Sequence, residues 1–185
     1  MTYKIVDTVV MNTAREIRRN PLAALDYLPE SALRIKDFHR AKVENGRKIW
    51  ELFGDEAHYS KEQKEAVIKK PRFYYYDKKG QIAETLGDEA RLFLSDKELE
   101  QLQLKGNVRV NYQDFVLTSE EALYFPAKEQ IVFPGKVIMV GDGFELEGAR
   151  MEVELEDQTV RLERNVKTKL EPDRLAKRKN RPASS

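Results

Sequence analysis

Between Leu33 and Leu170 apolar side chains return at every second position, in runs too short and too often punctuated for stable helices. A ten-residue block opens each of four units: WELFGDEAHY from Trp50, AETLGDEARL from Ala83, FVLTSEEALY from Phe115 and FELEGARMEV from Phe144. The starting points lie 33, 32 and 29 residues apart, and a period near 30 marks a repeat architecture. Within each block the first and third positions share a face, giving Trp50 with Leu52, Ala83 with Thr85, Phe115 with Leu117, and Phe144 with Leu146. The fifth is small, as Gly54, Gly87, Ser119 and Gly148, and the phase then slips. Ala57 with Tyr59, Ala90 with Leu92, Ala122 with Tyr124, and Met151 with Val153 resume the apolar face. An extra residue beside a small one predicts a bulge that bends the strand.

Each block is followed by a polar turn, and a second alternating run comes next: Ala66 to Lys69, Leu99 to Leu104, Ile131 to Phe133, and Val160 to Leu162. A third run begins at Pro71, Gly106, Gly135 and Arg164, with Phe73 and Tyr75, Val108 and Val110, Val137 and Met139, and Val166 on its apolar face. The pattern predicts an all-β meander of roughly a dozen short strands, three per repeat, curved around a shared apolar interior. Outside it, residues 1–30 predict an amphipathic helical segment, with Val6, Val9, Val10 and Ile17 on one face and Pro21 ending it. Residues 171–185 read as a disordered basic tail carrying Arg174, Lys177, Arg178, Lys179 and Arg181. Residues 31–170 then form a single domain, which a chain of 185 residues with 41% apolar content can stabilise without staples.

Composition removes several classes of function. The formal charge of +1 gives no global pull toward nucleic acid or membrane, and the absence of cysteine excludes disulfides, thiolate zinc sites and thiol catalysis. The longest stretch near the start without Asp, Glu, Lys or Arg is Thr8 to Ala14, too short to cross a bilayer, and Asp7 interrupts the one candidate signal core. Only His39 and His58 are present, so a histidine-based catalytic dyad is not expected. The recurring pairs Asp55-Glu56, Asp88-Glu89 and Glu120-Glu121 point to opposite faces of a strand, which suits solvated positions rather than acid–base chemistry. Gly141-Asp142-Gly143 lies between alternating runs with no helix after it, so it reads as a hairpin turn and not as a phosphate cradle. Nothing points to catalysis, a cofactor or a metal. The run Phe73-Tyr74-Tyr75-Tyr76 beside Arg72, Lys78 and Lys79 has the ingredients of a base-stacking platform, but an alternating strand ended by Asp77-Lys78-Lys79-Gly80 accounts for it better.

The repeated motif is small-Asp-Glu-Ala, an aromatic two residues on, a polar turn, and an alternating run ending in Lys105-Gly106-Asn107-Val108-Arg109-Val110. It resembles the lipopolysaccharide-export bridge proteins, a superfamily that includes LptA and the amino-terminal domain of the outer-membrane assembly protein. The opening Val43-Glu44-Asn45-Gly46-Arg47-Lys48-Ile49-Trp50-Glu51-Leu52 resembles the LptC family in particular, and together the motifs span about Leu33 to Leu170.

The resemblance implies a mainly β fold, a twisted open β-jellyroll of antiparallel strands, and a non-enzymatic role without cofactors at the periplasmic face of the inner membrane. It implies an apolar groove that holds the acyl chains of lipopolysaccharide, lined by Trp50, Leu52, Tyr59, Phe73, Tyr75, Leu92, Val108, Val110, Leu117, Tyr124, Met139, Phe144 and Met151. It also implies edge strands for partners: Leu33 and Ile35 toward an inner-membrane ABC transporter, and Val160, Leu162 and Val166 toward an LptA-like bridge protein or a second copy. That family carries an amino-terminal transmembrane helix where this sequence has a charged amphipathic segment. The competing expectation is a structural β-repeat scaffold that assembles through its edges, with the same side chains packed into a closed core.

Overall fold

The computed structural model describes residues 33–96, 98–163 and 165–170; the expected helical segment and basic tail lie outside them. Fourteen strands follow one another: β1 Leu33–Glu44, β2 Arg47–Ser60, β3 Glu65–Lys69, β4 Arg72–Tyr76, β5 Ile82–Leu86, β6 Glu89–Ser95, β7 Glu98–Tyr112, β8 Phe115–Phe125, β9 Gln130–Phe133, β10 Val137–Gly141, β11 Phe144–Gly148, β12 Arg150–Glu154, β13 Thr159–Glu163 and β14 Lys167–Leu170. All pairings are antiparallel and make one continuous sheet. Four strands, β1, β2, β7 and β8, run the full depth of the fold. The remaining ten form five collinear pairs, β3/β4, β5/β6, β9/β10, β11/β12 and β13/β14.

The chain therefore makes nine crossings of a crease, and the crease divides the sheet into two leaves. Leaf I contains β4, β5, β10, β11 and β14, and leaf II contains β3, β6, β9, β12 and β13; the long strands belong to both. β2 pairs with β4 at Trp50–Phe53 and with β3 at Glu56–Ser60, and β7 pairs with β6 through Lys105 and with β5 from Arg109. The predicted bend falls at the small residue of each block. In the second and fourth blocks the break is complete, so Ala83–Leu92 spans β5 and β6, and Phe144–Val153 spans β11 and β12.

Side-chain hydrogen bonds fix the crease. Gly106 and Asn107 interrupt the β7–β8 ladder with φ of 76° and 48°, a left-handed pair that turns the strand and leaves Glu120 unpaired in register. Asp88 joins the neighbouring crossings: its amide donates to the carbonyls of Lys105 and Gly106, its own carbonyl accepts from Lys70 N, and its carboxylate accepts from Lys70 Nζ at 3.2 Å and Asn107 Nδ2 at 2.6 Å. The sequence pattern assigned these aspartates to solvent, and the Asp88 side chain is exposed, yet it clasps three crossings of the fold.

The leaves close on each other over β1 to β7 and separate beyond β8. Leu52, Ile68, Leu92 and Leu102 are all 0% exposed, and Phe38, Trp50, Leu104 and Val108 are buried with them. After β8, leaf I continues through β10, β11 and β14 and leaf II through β9, β12 and β13, with no pairing between the two branches among the described residues. Alternation holds in both. Tyr75 points inward, while Tyr74 and Tyr76 point outward and donate to Glu84 and Glu51. The two-residue turn Asp142-Gly143 closes the β10–β11 hairpin with Gly143 at φ 85°.

Depressed carboxylates give the fold a defined acid limit. Arg34 and His58 hold the Glu56 carboxyl down to about 2. Burial alone would raise Glu51 and Asp77, but donors from Lys48, Tyr76 and His39 bring Glu51 down, and Gln81 N, Tyr112 OH and Lys79 N do the same for Asp77. A carboxyl that titrates lower when folded than when unfolded contributes stability above its ordinary range and loses it as pH falls through the folded value. Tm is expected to stay level near neutrality and to fall between about pH 4.5 and pH 2. Glu56→Gln should make that decline shallower. An unchanged slope in the variant, followed by circular dichroism melts, would refute the assignment.

Candidate functional site

Where the two branches part, the inner faces enclose a cavity of about 370 Å³. The period-two pattern builds its walls. β4, β5, β7 and β8 supply Phe73, Tyr75, Ala83, Val110, Phe115 and Leu117, and the tyrosine end of β8 adds Tyr124. Met139, Phe144 and Leu146 extend leaf I, and Ile131, Phe133, Met151, Val153 and Val160 face them from leaf II. Aromatic contacts stiffen the wall at two points: Phe115 and Phe144 sit 5.5 Å apart between ring centroids, and Phe73 and Tyr124 sit 5.4 Å apart across the two leaves.

The polar lining gathers at the mouth. Asp77 lies in the β4–β5 turn and accepts from Lys79 N and Gln81 N at 2.8 Å each and from Tyr112 OH at 2.8 Å. Its charge is thus satisfied by its own turn together with Tyr112 at the end of β7. Glu154 and Gln158 stand on the leaf II side. Val160 and Leu170, on the inner face of β13 and β14, are 54% and 57% exposed, so among the described residues the cavity runs out uncovered to the carboxy-terminal edge.

Toward β1 the space is closed. Lys42 Nζ reaches Glu98 Oε2 at 3.5 Å, which ties β1 to the start of β7, and the Arg40 guanidinium lies 5.7 Å from the Trp50 ring. Burial lowers the pKa of Arg40 from its ordinary value, and Glu98 opposes the shift. A second, more polar cavity of about 210 Å³ lies here, lined by Lys42, Glu44, Ile49, Trp50, Glu98, Leu99, Pro126, Ala127 and Glu129, together with Tyr75 and Tyr124.

The thirteen groove candidates therefore fall into three places, all on the inner face. Phe73, Tyr75, Val110, Leu117, Tyr124, Met139, Phe144 and Met151 line the larger cavity; Trp50 lines the smaller one, beside Tyr75 and Tyr124. Leu52, Leu92 and Val108 sit in the packed core, and Tyr59 packs half-buried against it. Phe115, Ile131 and Val153, which the pattern places in its alternating apolar runs but which are not among the groove candidates, line the larger cavity too, as do Tyr112, one alternation beyond Val110, and Leu155. Among the edge candidates, Leu33 and Ile35 lie on β1 and Val160 and Leu162 on β13; among the described residues β1 pairs only with β2, and β13 only with β12. Val166 lies between β13 and β14, which are two separate strands in different leaves rather than one.

What this architecture corresponds to is given by comparison. The family described as "Lipopolysaccharide-assembly, LptC-related" matches residues 29–171. The chain belongs to this LptC-related family. The match covers the whole folded sheet and the two leaves that carry the cavity. Among solved structures, the chain is similar to LptH of Pseudomonas aeruginosa, titled the LptA-homologous periplasmic component of the lipopolysaccharide transport device. That likeness has a TM-score of 0.54 at 15% identity and covers 66% of this chain and 95% of that one, which establishes a shared LptA-like β fold. No curated protein matches the sequence. Among the described residues of this LptC-related chain, no helix is long and apolar enough to cross a membrane, and no cluster of His, Cys, Asp or Glu is arranged to hold a metal ion.

Proposed function

We propose that this LptC-related chain is a non-enzymatic, lipopolysaccharide-binding component of a transenvelope bridge. The observation that carries the reading is the cavity: about 370 Å³ of almost wholly apolar space, open along one edge, in a chain whose family is named for lipopolysaccharide assembly. A well-packed domain does not leave such space without use, because interiors fill to crystal-like density. Acyl chains enter the cavity between the leaves while sugars and phosphates remain at the polar mouth. Each methylene transferred from water contributes about 0.8 kcal/mol, so several chains bind without any catalytic group.

The two ends of the sheet supply the assembly. Among the described residues β1 and the β13/β14 pair each leave one backbone edge without a partner strand, and unpaired edges are templates for strand addition. In this reading β1 meets the periplasmic part of an inner-membrane ABC transporter, and β13 or β14 receives an LptA-like jellyroll. The exposed Val160 and Leu170 then let the apolar floor continue into the neighbour. Energy comes from the transporter, and the chain supplies direction and shelter.

A photo-crosslinking residue at Val110, which lines the cavity, tests this against one at Arg109, whose side chain lies on the outer face beside Asn111. In cells making lipopolysaccharide, the expected result is a lipid adduct at 110 and none at 109. Equal labelling at both, or none at 110 in a folded periplasmic protein, would sink the reading and favour a scaffold without lipid.

A further inference from the structure

The two cavities have exactly two lining residues in common, Tyr75 and Tyr124, whose rings meet edge to face at 6.3 Å. We propose that Tyr75 and Tyr124 form the end wall of the apolar cavity and set the length of the alkyl chain that it holds. The proposal rests on the lipid-binding reading above and adds a determinant of specificity to it.

Three observations carry it. First, the cavity is directional. Among the described residues its carboxy-terminal edge is uncovered, with Val160 and Leu170 exposed, so a chain entering tail-first from that edge sends its terminal methyl toward β4, where the lining ends at Tyr75 and Tyr124. Second, the tyrosine pair is all of the lining that the two cavities share. Beyond it lies another 210 Å³ of space and not packed core. Third, these two tyrosines are held differently from Tyr74, Tyr76 and Tyr112. The hydroxyls of Tyr74, Tyr76 and Tyr112 each donate to a carboxylate, whereas Tyr75 and Tyr124 meet each other, and Tyr124 meets Phe73, through their rings. Burial, Tyr75 and the carboxylates of Glu129 and Glu44 hold the Tyr124 phenol un-ionised, which fits a ring packed on Phe73 with its hydroxyl toward the polar cavity. Tyr75 is half-buried and packs through its ring, so its removal joins the two spaces while leaving the Phe73–Tyr124 contact across the leaves.

The test is a chain-length series of saturated fatty acids from ten to eighteen carbons, measured by displacement of a fluorescent fatty acid from the full chain. Affinity is expected to rise about fourfold per methylene while the tail fits, then to level off where it meets the wall. In Tyr75→Ala the plateau should move to chains several carbons longer, with affinities below the old plateau little changed; Tyr75→Val serves if the alanine variant does not fold. Tyr74→Ala, on the outer face, should leave the plateau where it was. Trp50 is the single tryptophan and lines the space behind the wall, so it gives a second readout. A long chain brominated at its terminal carbon should quench Trp50 more strongly in Tyr75→Ala than in the unaltered protein. A plateau that does not move, or equal weakening at every length, overturns the end wall while leaving lipid binding in place. No binding at any length overturns the lipid reading and the end wall with it.

Discussion

Arginine at position 110 is expected to lower affinity for an alkyl chain at least tenfold while Tm changes by only a few degrees, whereas arginine at position 92 is expected to leave no folded protein. Both positions are inward-facing valine or leucine on adjacent parts of the same sheet, and the sequence pattern treats them alike. The structure separates them. Val110 is half-buried and faces open space, with Asp77 and Glu154 at the mouth nearby. The arginine stem can lie along the apolar wall and carry its charge out to those carboxylates, which fills the volume that a lipid tail needs at a cost of about 1 kcal/mol in lost valine burial. Leu92 is 0% exposed and is paired between Ala66 and Leu102. A guanidinium there has no route to water, and an uncompensated buried charge costs several kcal/mol, comparable with the roughly 5–15 kcal/mol that holds a domain folded. Thermal melts by circular dichroism and displacement of a fluorescent fatty acid check both halves. A Val110→Arg variant that unfolds as Leu92→Arg does would mean a closed core throughout.

The same contrast shows where sequence reading stops. Period two placed every groove candidate on the inner face, because alternation is a local property of extended backbone and survives any tertiary arrangement. The phase slip at Gly54, Gly87, Ser119 and Gly148 located the crease for a similar reason: a bulge leaves a register mark in the chain that makes it. What alternation does not encode is the distance between two leaves that face each other. Leu92 and Val110 differ only in what stands across from them, and that depends on the twist accumulated over many strands. The same holds for the end wall, since Tyr75 and Tyr124 are 49 positions apart and meet only because leaf I at β4 lies over leaf II at the end of β8. Alternation does not reveal the clasp at Asp88 either, because its partners, Lys70 and Asn107, lie 18 and 19 positions away on other crossings.

Gly54→Val is expected to prevent folding, and Gly54→Ala to cost about 2–3 kcal/mol, although the backbone at this site suits any residue. The cause is steric. A Cβ on Gly54 would overlap Ile68 Cγ2 and lie 3.2 Å from the Lys69 carbonyl oxygen, so something must move. Ile68 is 0% exposed and Phe38, paired opposite Gly54, is 2% exposed, which leaves neither neighbour room to yield. At this point β2 leaves its pairing with β4 for its pairing with β3, and a widened crease would shift both ladders. Gly135 provides the control: an added Cβ there meets nothing within 4 Å, so Gly135→Ala should change stability by less than about 0.5 kcal/mol. Ile68→Ala removes the clashing methyl, and in that background the Gly54→Ala penalty should largely disappear, giving a coupling of about 1–3 kcal/mol in urea-denaturation cycles. If the two substitutions instead add independently, the close approach is not what requires glycine, and the bend must be held by the left-handed corners at Lys70 and Gly106-Asn107 rather than by the contact of β2 with β3.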